Sequence, residues 1–140
     1  MQIRQATFPS RLDQIEAICR LVEESAQEAG FDSAASYACQ LAVAEASENI
    51  IKHGYGVEGK GIIQVSVTGR ADELTFELRD EAPPFNPSLS PTISQLDEDD
   101  PPVGGLGLVI LHRVMDEVRY ERLAGQNHLT LIKRKPVQSR

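Results

Sequence analysis

Six prolines fall between positions 83 and 102, at Pro83, Pro84, Pro87, Pro91, Pro101 and Pro102, and they decide how the rest of the chain can fold. Proline has no backbone N–H and clashes with the preceding helical turn, so neither a helix nor a central strand runs through such a stretch. An acidic run, Asp97-Glu98-Asp99-Asp100, lies inside it. Residues 81–105 are therefore one long loop, and loops of that length in a compact domain are functional or disordered. Every regular element must form before it or after it.

Before the loop, residues 1–7 alternate weakly and predict an edge strand. Ser10 reads as the N-cap of a helix carrying Leu12, Ile15, Ile18, Cys19 and Val22, and Gly30 ends that helix. Asp32 or Ser33 caps a second helix that runs to about His53 and stops at Gly54. Cys39, Val43, Ala46 and Ile50 form its apolar stripe. Strand patterns over 62–68 and 74–79 predict an antiparallel hairpin turning around Gly69 to Glu73. After the loop, Gly104-Gly105-Leu106-Gly107 opens a helix from Leu108 to about Met115. Strands over 117–122 and 128–133 follow, with a turn at Ala124-Gly125-Gln126-Asn127. The order β-α-α-β-β-loop-α-β-β predicts an α+β fold, a two-layer sandwich whose mostly antiparallel mixed sheet is covered by helices on one face. No internal repeat is visible, and 1–140 reads as one domain.

Charge and composition exclude several roles. Trp is absent and aromatics are 5%, so aliphatic side chains must build the core. A net charge of -7 argues against a nucleic-acid partner, which needs clustered Lys and Arg. Lys133-Arg134-Lys135 with Arg140 reads as a solvated basic tail. No apolar run approaches the roughly 18 residues of a membrane helix, so no membrane partner is expected. Met1-Gln2-Ile3-Arg4 lacks the apolar run of a secretory signal. Cys19 and Cys39 sit in helical patterns and read as buried thiols, which suits the cytoplasm. There is no Cys/His cluster for zinc.

Three groups of residues carry candidate chemistry. On the second helix Glu45 and Asn49 are four apart and share a face, and His53 continues the row. At about 100° per residue that face is separate from the apolar stripe, with Ala38, Leu41 and Ala42 beside it. An amide oxygen at Asn49 suits Mg²⁺, a hard cation that also binds phosphates. A carboxylate at Glu45 suits proton acceptance from an attacking hydroxyl. The alternative is a solvated face in which Glu48 and Lys52 pair at i,i+4 and His53 caps helix carbonyls. Second, Asp80 ends a strand and precedes Glu81-Ala82-Pro83-Pro84-Phe85-Asn86-Pro87. A carboxylate there can accept a hydrogen bond from the exocyclic amine of adenine, or simply begin a turn. Third, glycines at 104, 105 and 107 precede a helix, where backbone N–H groups and the helix dipole favour phosphate. The same glycines also suit a plain hinge. No Lys follows them, so this is not a Walker loop, and their late position does not fit a dinucleotide fingerprint.

Taken together, these groups resemble the compact ATP-binding domain shared by gyrase, MutL, histidine kinases and the bacterial anti-sigma-factor serine/threonine kinases. Glu45-Ala46-Ser47-Glu48-Asn49 is similar to its N box, Asp80-Glu81-Ala82-Pro83-Pro84-Phe85 to its first glycine box, and Gly105-Leu106-Gly107-Leu108 to its second. His53-Gly54-Tyr55 and Met115-Asp116-Glu117-Val118 look most like the anti-sigma branch. The resemblance spans nearly the whole chain and implies the Bergerat-type fold. It implies Glu45 as general base and Asn49 as Mg²⁺ ligand. Asp80 would bind the adenine amine, with Ala82 and Phe85 beside it. Gly104, Gly105, Leu106, Gly107 and Leu108 would contact the nucleotide, under an ATP lid at about 86–104. The chain departs from the pattern at Ala82 and Pro84, where glycine is usual, and the lid segment holds no Lys or Arg.

The implied activity is ATP-dependent phosphorylation of a serine on a small anti-anti-sigma (antagonist) protein. A sigma factor or other output protein would be the second partner, and a homodimer the implied assembly. The alternative is a nucleotide-dependent partner-binding module with little or no kinase activity. Glu45 weighs against it, since binding needs Asn49 and Asp80 but no base. A sensor histidine kinase would need a phosphoacceptor hairpin, whereas His53, His112 and His128 fall inside the catalytic domain itself, and a gyrase-like ATPase would need a transducer domain that 140 residues lack.

Overall fold

The computed structural model describes residues 1–84 and 105–136. The expected lid at 86–104, with Phe85 and Gly104, lies outside the described residues. The elements are strand β1 (Gln2–Pro9), helices α1 (Ile15–Glu28) and α2 (Ser33–Asn49), strands β2 (Ile62–Gly69) and β3 (Glu73–Asp80), helix α3 (Gly105–Val114), and strands β4 (Glu117–Leu123) and β5 (Gln126–Arg134). The five strands form one sheet in the order β1-β2-β3-β5-β4, and all four pairings are antiparallel. The fold is the α+β sandwich expected.

Period-two alternation sorts the sheet into two faces. Ile63, Val65 and Val67 of β2 and Leu74, Phe76 and Leu78 of β3 are buried, while Gln64, Ser66, Thr75 and Glu77 between them are half-buried. Register aligns the inner residues into rows across the strands. One row is Val67, Phe76, Leu131 and Val118, and the next is Val65, Leu78, Leu129 and Tyr120. The last row is polar beyond its first member: Ile63, Asp80, Asn127 and Arg122. Ile18, Val22 and Ala26 of α1 and Cys39, Val43 and Ala46 of α2 join the core with the apolar rows. Burial pushes the Cys39 thiol up to about 12, as an inert core thiol requires.

Helix boundaries follow their local chemistry, with two exceptions. Asp32 caps α2 by accepting from Ala35 N–H at 2.8 Å, and Gly30 takes φ +80° just beyond α1. Ser10, expected as an N-cap, is instead fully buried. Its Oγ accepts from Gly61 N–H at 3.0 Å, tying the end of β1 to the start of β2, and a short 3₁₀ turn, Leu12–Gln14, leads into α1. The second exception follows Asn49. Residues Ile50–Tyr55 wind as one π-helical turn closed by Gly56 at φ +85°, whose N–H donates to Ile51 C=O at 3.0 Å. This wider turn ends the α-helical row that was expected to carry on to His53, which is exposed.

In the basic C-terminal run Lys133 and Lys135 are docked on the fold, Arg134 is exposed, and Arg140 lies outside the described residues. Lys133 Nζ donates to Val114 C=O at 2.7 Å, capping α3 where its dipole is negative. Lys135 Nζ donates to Ala29 C=O at 3.0 Å and lies 5.0 Å from the Phe31 ring centroid. Helix-end carbonyls, and for Lys135 the Phe31 ring, give these ammonium groups partners that water would otherwise supply.

Candidate functional site

The polar row at the sheet's end meets the end of α2. Asn49, Asp80 and Asn127 line one pocket with Ala46, Ile50, Gly54, Tyr120 and Leu129. Two of the expected site residues, Asn49 and Asp80, are thus brought together from separate segments of the chain. Helix α2 supplies Asn49 because it is buried on more than one side, packing against both α1 and α3. Asn49 is 6% exposed, so it does not lie on a solvated face. Its Nδ2 has no hydrogen-bond partner among the described residues, an arrangement that costs free energy unless something fills it.

Asp80 is 4% exposed and is held from two directions. Ala82 N–H donates to its Oδ1 at 2.9 Å and Asn127 Nδ2 donates to the same oxygen at 2.8 Å. Both bonds fall on Oδ1. Burial pushes the carboxyl above its ordinary range, against the opposing bonds from Asn127 and Ala82 and the charges of Arg122 and His128.

Asn127 was not foreseen as a site residue. Its Nδ2 also donates to Ala82 C=O and Pro83 C=O, each at 3.1 Å. Its Oδ1 accepts from the Tyr120 hydroxyl and from Arg122 Nη1, the latter at 3.1 Å. Arg122 Nη1 also donates to Ala82 C=O at 2.7 Å. Tyr120, Arg122 and Asn127 therefore hold the turn after Asp80 against the sheet. The signal in the sequence was an Asn at an inward position of a strand whose next inward residues are Leu129 and Leu131.

Ala82 stands where the resemblance implies glycine. It is 1% exposed, and the space for its methyl exists because Gly54 has none: a Cβ on Gly54 would come 3.2 Å from the Ala82 Cβ. The methyl missing at one position is present at the other.

Glu45 lies one turn before Asn49 on α2 and is half-buried, outside the lining of this pocket. Burial raises its carboxyl above the ordinary value, with Glu48 adding to the rise and Lys52 opposing it. Lys52 does pair with Glu48 at i,i+4. Gly105, Leu106, Gly107 and Leu108 form the first turn of α3, which packs on α2. A helix N-terminus with glycines presents free backbone N–H groups.

Residues 8–133 match the model of the histidine kinase-like ATPase domain. The chain is 32% identical over 98 residues to a serine-protein kinase RsbW of Bacillus velezensis, covering 61% of this chain and 57% of that protein. It is 30% identical over 93 residues to the serine/threonine-protein kinase BtrW of Bordetella bronchiseptica, covering 65% of each. The chain thus spans less than two thirds of the length of these curated relatives. Among solved structures, the RsbU and RsbW domains of a Mycobacterium tuberculosis protein superpose with a TM-score of 0.67 at 19% identity, over 97% of this chain and 34% of that one. The Acinetobacter baumannii histidine kinase AdeS superposes with a TM-score of 0.51 at 15% identity, over 96% and 68%. At those identities the likeness is one of fold.

Proposed function

The chain belongs to the histidine kinase-like ATPase domain family, and from that premise we propose that it is an ATP-dependent serine/threonine protein kinase of the anti-sigma-factor type. The observation that carries the reading is the pocket lined by both Asp80 and a buried Asn49 whose Nδ2 has no hydrogen-bond partner among the described residues. The names of the relatives, a serine-protein kinase and a serine/threonine-protein kinase, support the reaction class.

The residues fit Mg-ATP. Asp80 Oδ2 would accept the exocyclic amine of adenine, while Oδ1 is already occupied within the protein. Apolar Ile50 and Leu129 would border the base, with Ala82 and Phe85 beside it. The Asn49 side-chain oxygen would hold Mg²⁺, and its Nδ2, without a partner among the described residues, would donate to an acceptor of the bound nucleotide. Bound Mg²⁺ would neutralise charge on the phosphoryl oxygens. Gly104, Gly105, Leu106, Gly107 and Leu108 would receive phosphate at the start of α3. Glu45 would take the proton from the acceptor serine, and burial, which raises its carboxyl above the ordinary value, makes it a stronger base than a solvated glutamate. Phosphoryl transfer is mostly positioning and charge stabilisation, so one base, one metal ligand and a helix N-terminus make a sufficient set.

The acceptor would be a small anti-anti-sigma protein in the cytoplasm, a sigma factor or other output protein would be the alternative partner, and the working unit would be a homodimer. Incubation with γ-labelled ATP, Mg²⁺ and candidate antagonist proteins tests this. Label on an antagonist serine is expected. Tight nucleotide binding with no transfer to any of them would leave only a nucleotide-dependent binding module.

A further inference from the structure

The Tyr55 side chain joins segments on both sides of the pocket without lining it. Its hydroxyl donates to Ile62 C=O at 2.8 Å and accepts from Glu81 N–H at 2.9 Å. The residue is 8% exposed. Its ring lies against Gly61, where a Cβ would come within 2.5 Å of the ring carbons. Tyr55 is the last residue of the π turn that begins directly after Asn49. Glu81 directly follows Asp80. The bond to Glu81 N–H therefore fixes the peptide leaving Asp80, while Ala82 N–H fixes the carboxylate from the next residue. One phenol thus relates the Asn49 end of α2, the first residue of β2 and the Asp80 turn. An α-helical path from Asn49 would carry residue 55 to a different angle about the axis, so the π turn and this contact belong together.

We infer that the Tyr55 hydroxyl is a positioning group for adenine selection, acting through Asp80 by setting the Asp80–Glu81 turn relative to Asn49. This rests on the reading of Asp80 as acceptor for the exocyclic amine. Tyr55 makes no contact with the base in this scheme. Burial raises its phenol, so the hydroxyl keeps its proton and can both donate and accept at neutral pH.

The test compares ADP with IDP, each with Mg²⁺, by titration calorimetry on the full chain. IDP has a 6-oxo group in place of the amine, so it has no 6-position donor for a carboxylate acceptor and cannot gain from the aim of Asp80 at that position. Tyr55→Phe keeps the ring on Gly61 and removes both hydroxyl bonds. ADP affinity is expected to fall about tenfold, as for a misaligned hydrogen bond to a charged group, with IDP affinity changed by less than about twofold. Gly61→Ala, which crowds the ring with the hydroxyl still present, is expected to shrink the ADP preference in the same direction. A merely structural tyrosine gives a different result: a lower melting temperature and equal weakening of both nucleotides, up to complete loss. That result, with the ADP-to-IDP ratio unchanged, overturns the inference. Wild-type protein that binds ADP and IDP equally overturns the Asp80 reading first, and this inference with it, so the two failures are told apart.

Discussion

Asp80 is an ionisable group placed where ionisation is costly, and that cost has a measurable sign. Its carboxyl titrates higher in the folded chain than the ordinary value of 3.8. Below that value both folded and unfolded chains are protonated there and no penalty exists. As pH rises through the folded pKa, the buried carboxylate forms and stability is lost. Asp80→Asn is therefore expected to melt higher than wild type at pH 7 and level with it near pH 3, by scanning calorimetry, while losing ADP binding. A lower melting temperature at pH 7 would mean that the bonds from Asn127 and Ala82 outweigh the burial. Ser47 offers a cleaner case. It is fully buried on α2 and its Oγ has no partner among the described residues. Ser47→Ala removes an unpaired hydroxyl and is expected to stabilise the chain by about 1 kcal/mol in urea unfolding, with nucleotide affinity unchanged.

At the scale of elements, the β4–β5 hairpin and the π turn show what sequence chemistry reveals and what it hides. The hairpin turn is tighter than the four residues expected: only Ala124 and Gly125 separate the strands, at φ +53° and +78°. Both central residues need positive φ, as in a type I′ turn, and alanine is a poor choice for the first. Ala124→Asn is expected to raise stability by about 0.5–1 kcal/mol, read as a shift in the urea midpoint at constant slope. Asp32 and Gly30 announced their helix ends because capping and left-handed backbone need particular residues. The π turn gave no such sign. It depends on Tyr55 reaching Ile62 and Glu81 across the fold, and on Gly61 leaving room, none of which has a period along the chain. The same distance hid Asn127, whose partners Asp80 and Ala82 lie 47 and 45 residues away. The burial of Asn49 was hidden for another reason. A helix packed by both α1 and α3 has little amphipathic contrast to read.

For the whole molecule, alternation and turn residues made the α+β architecture legible, but not that β5, rather than β4, pairs with β3. Both strands carry the same two-residue period, so only three-dimensional packing chooses between them. That choice matters for function. Placing β5 next to β3 sets Asn127 opposite Asp80 and builds the polar row that faces Asn49. Elements on both sides of the proline-rich segment are thereby needed for one pocket. The proposed kinase then differs from a passive nucleotide switch by one side chain, Glu45, which sits a helical turn before Asn49, outside the pocket lining, and is expected to be dispensable for binding. The most direct measurement is the rate of γ-phosphoryl transfer to a purified antagonist protein by wild type and Glu45→Ala, at equal and saturating Mg-ATP occupancy. The expected result is a loss of about 10²- to 10⁴-fold in rate with ADP affinity preserved. Transfer by Glu45→Ala at the wild-type rate would contradict the account.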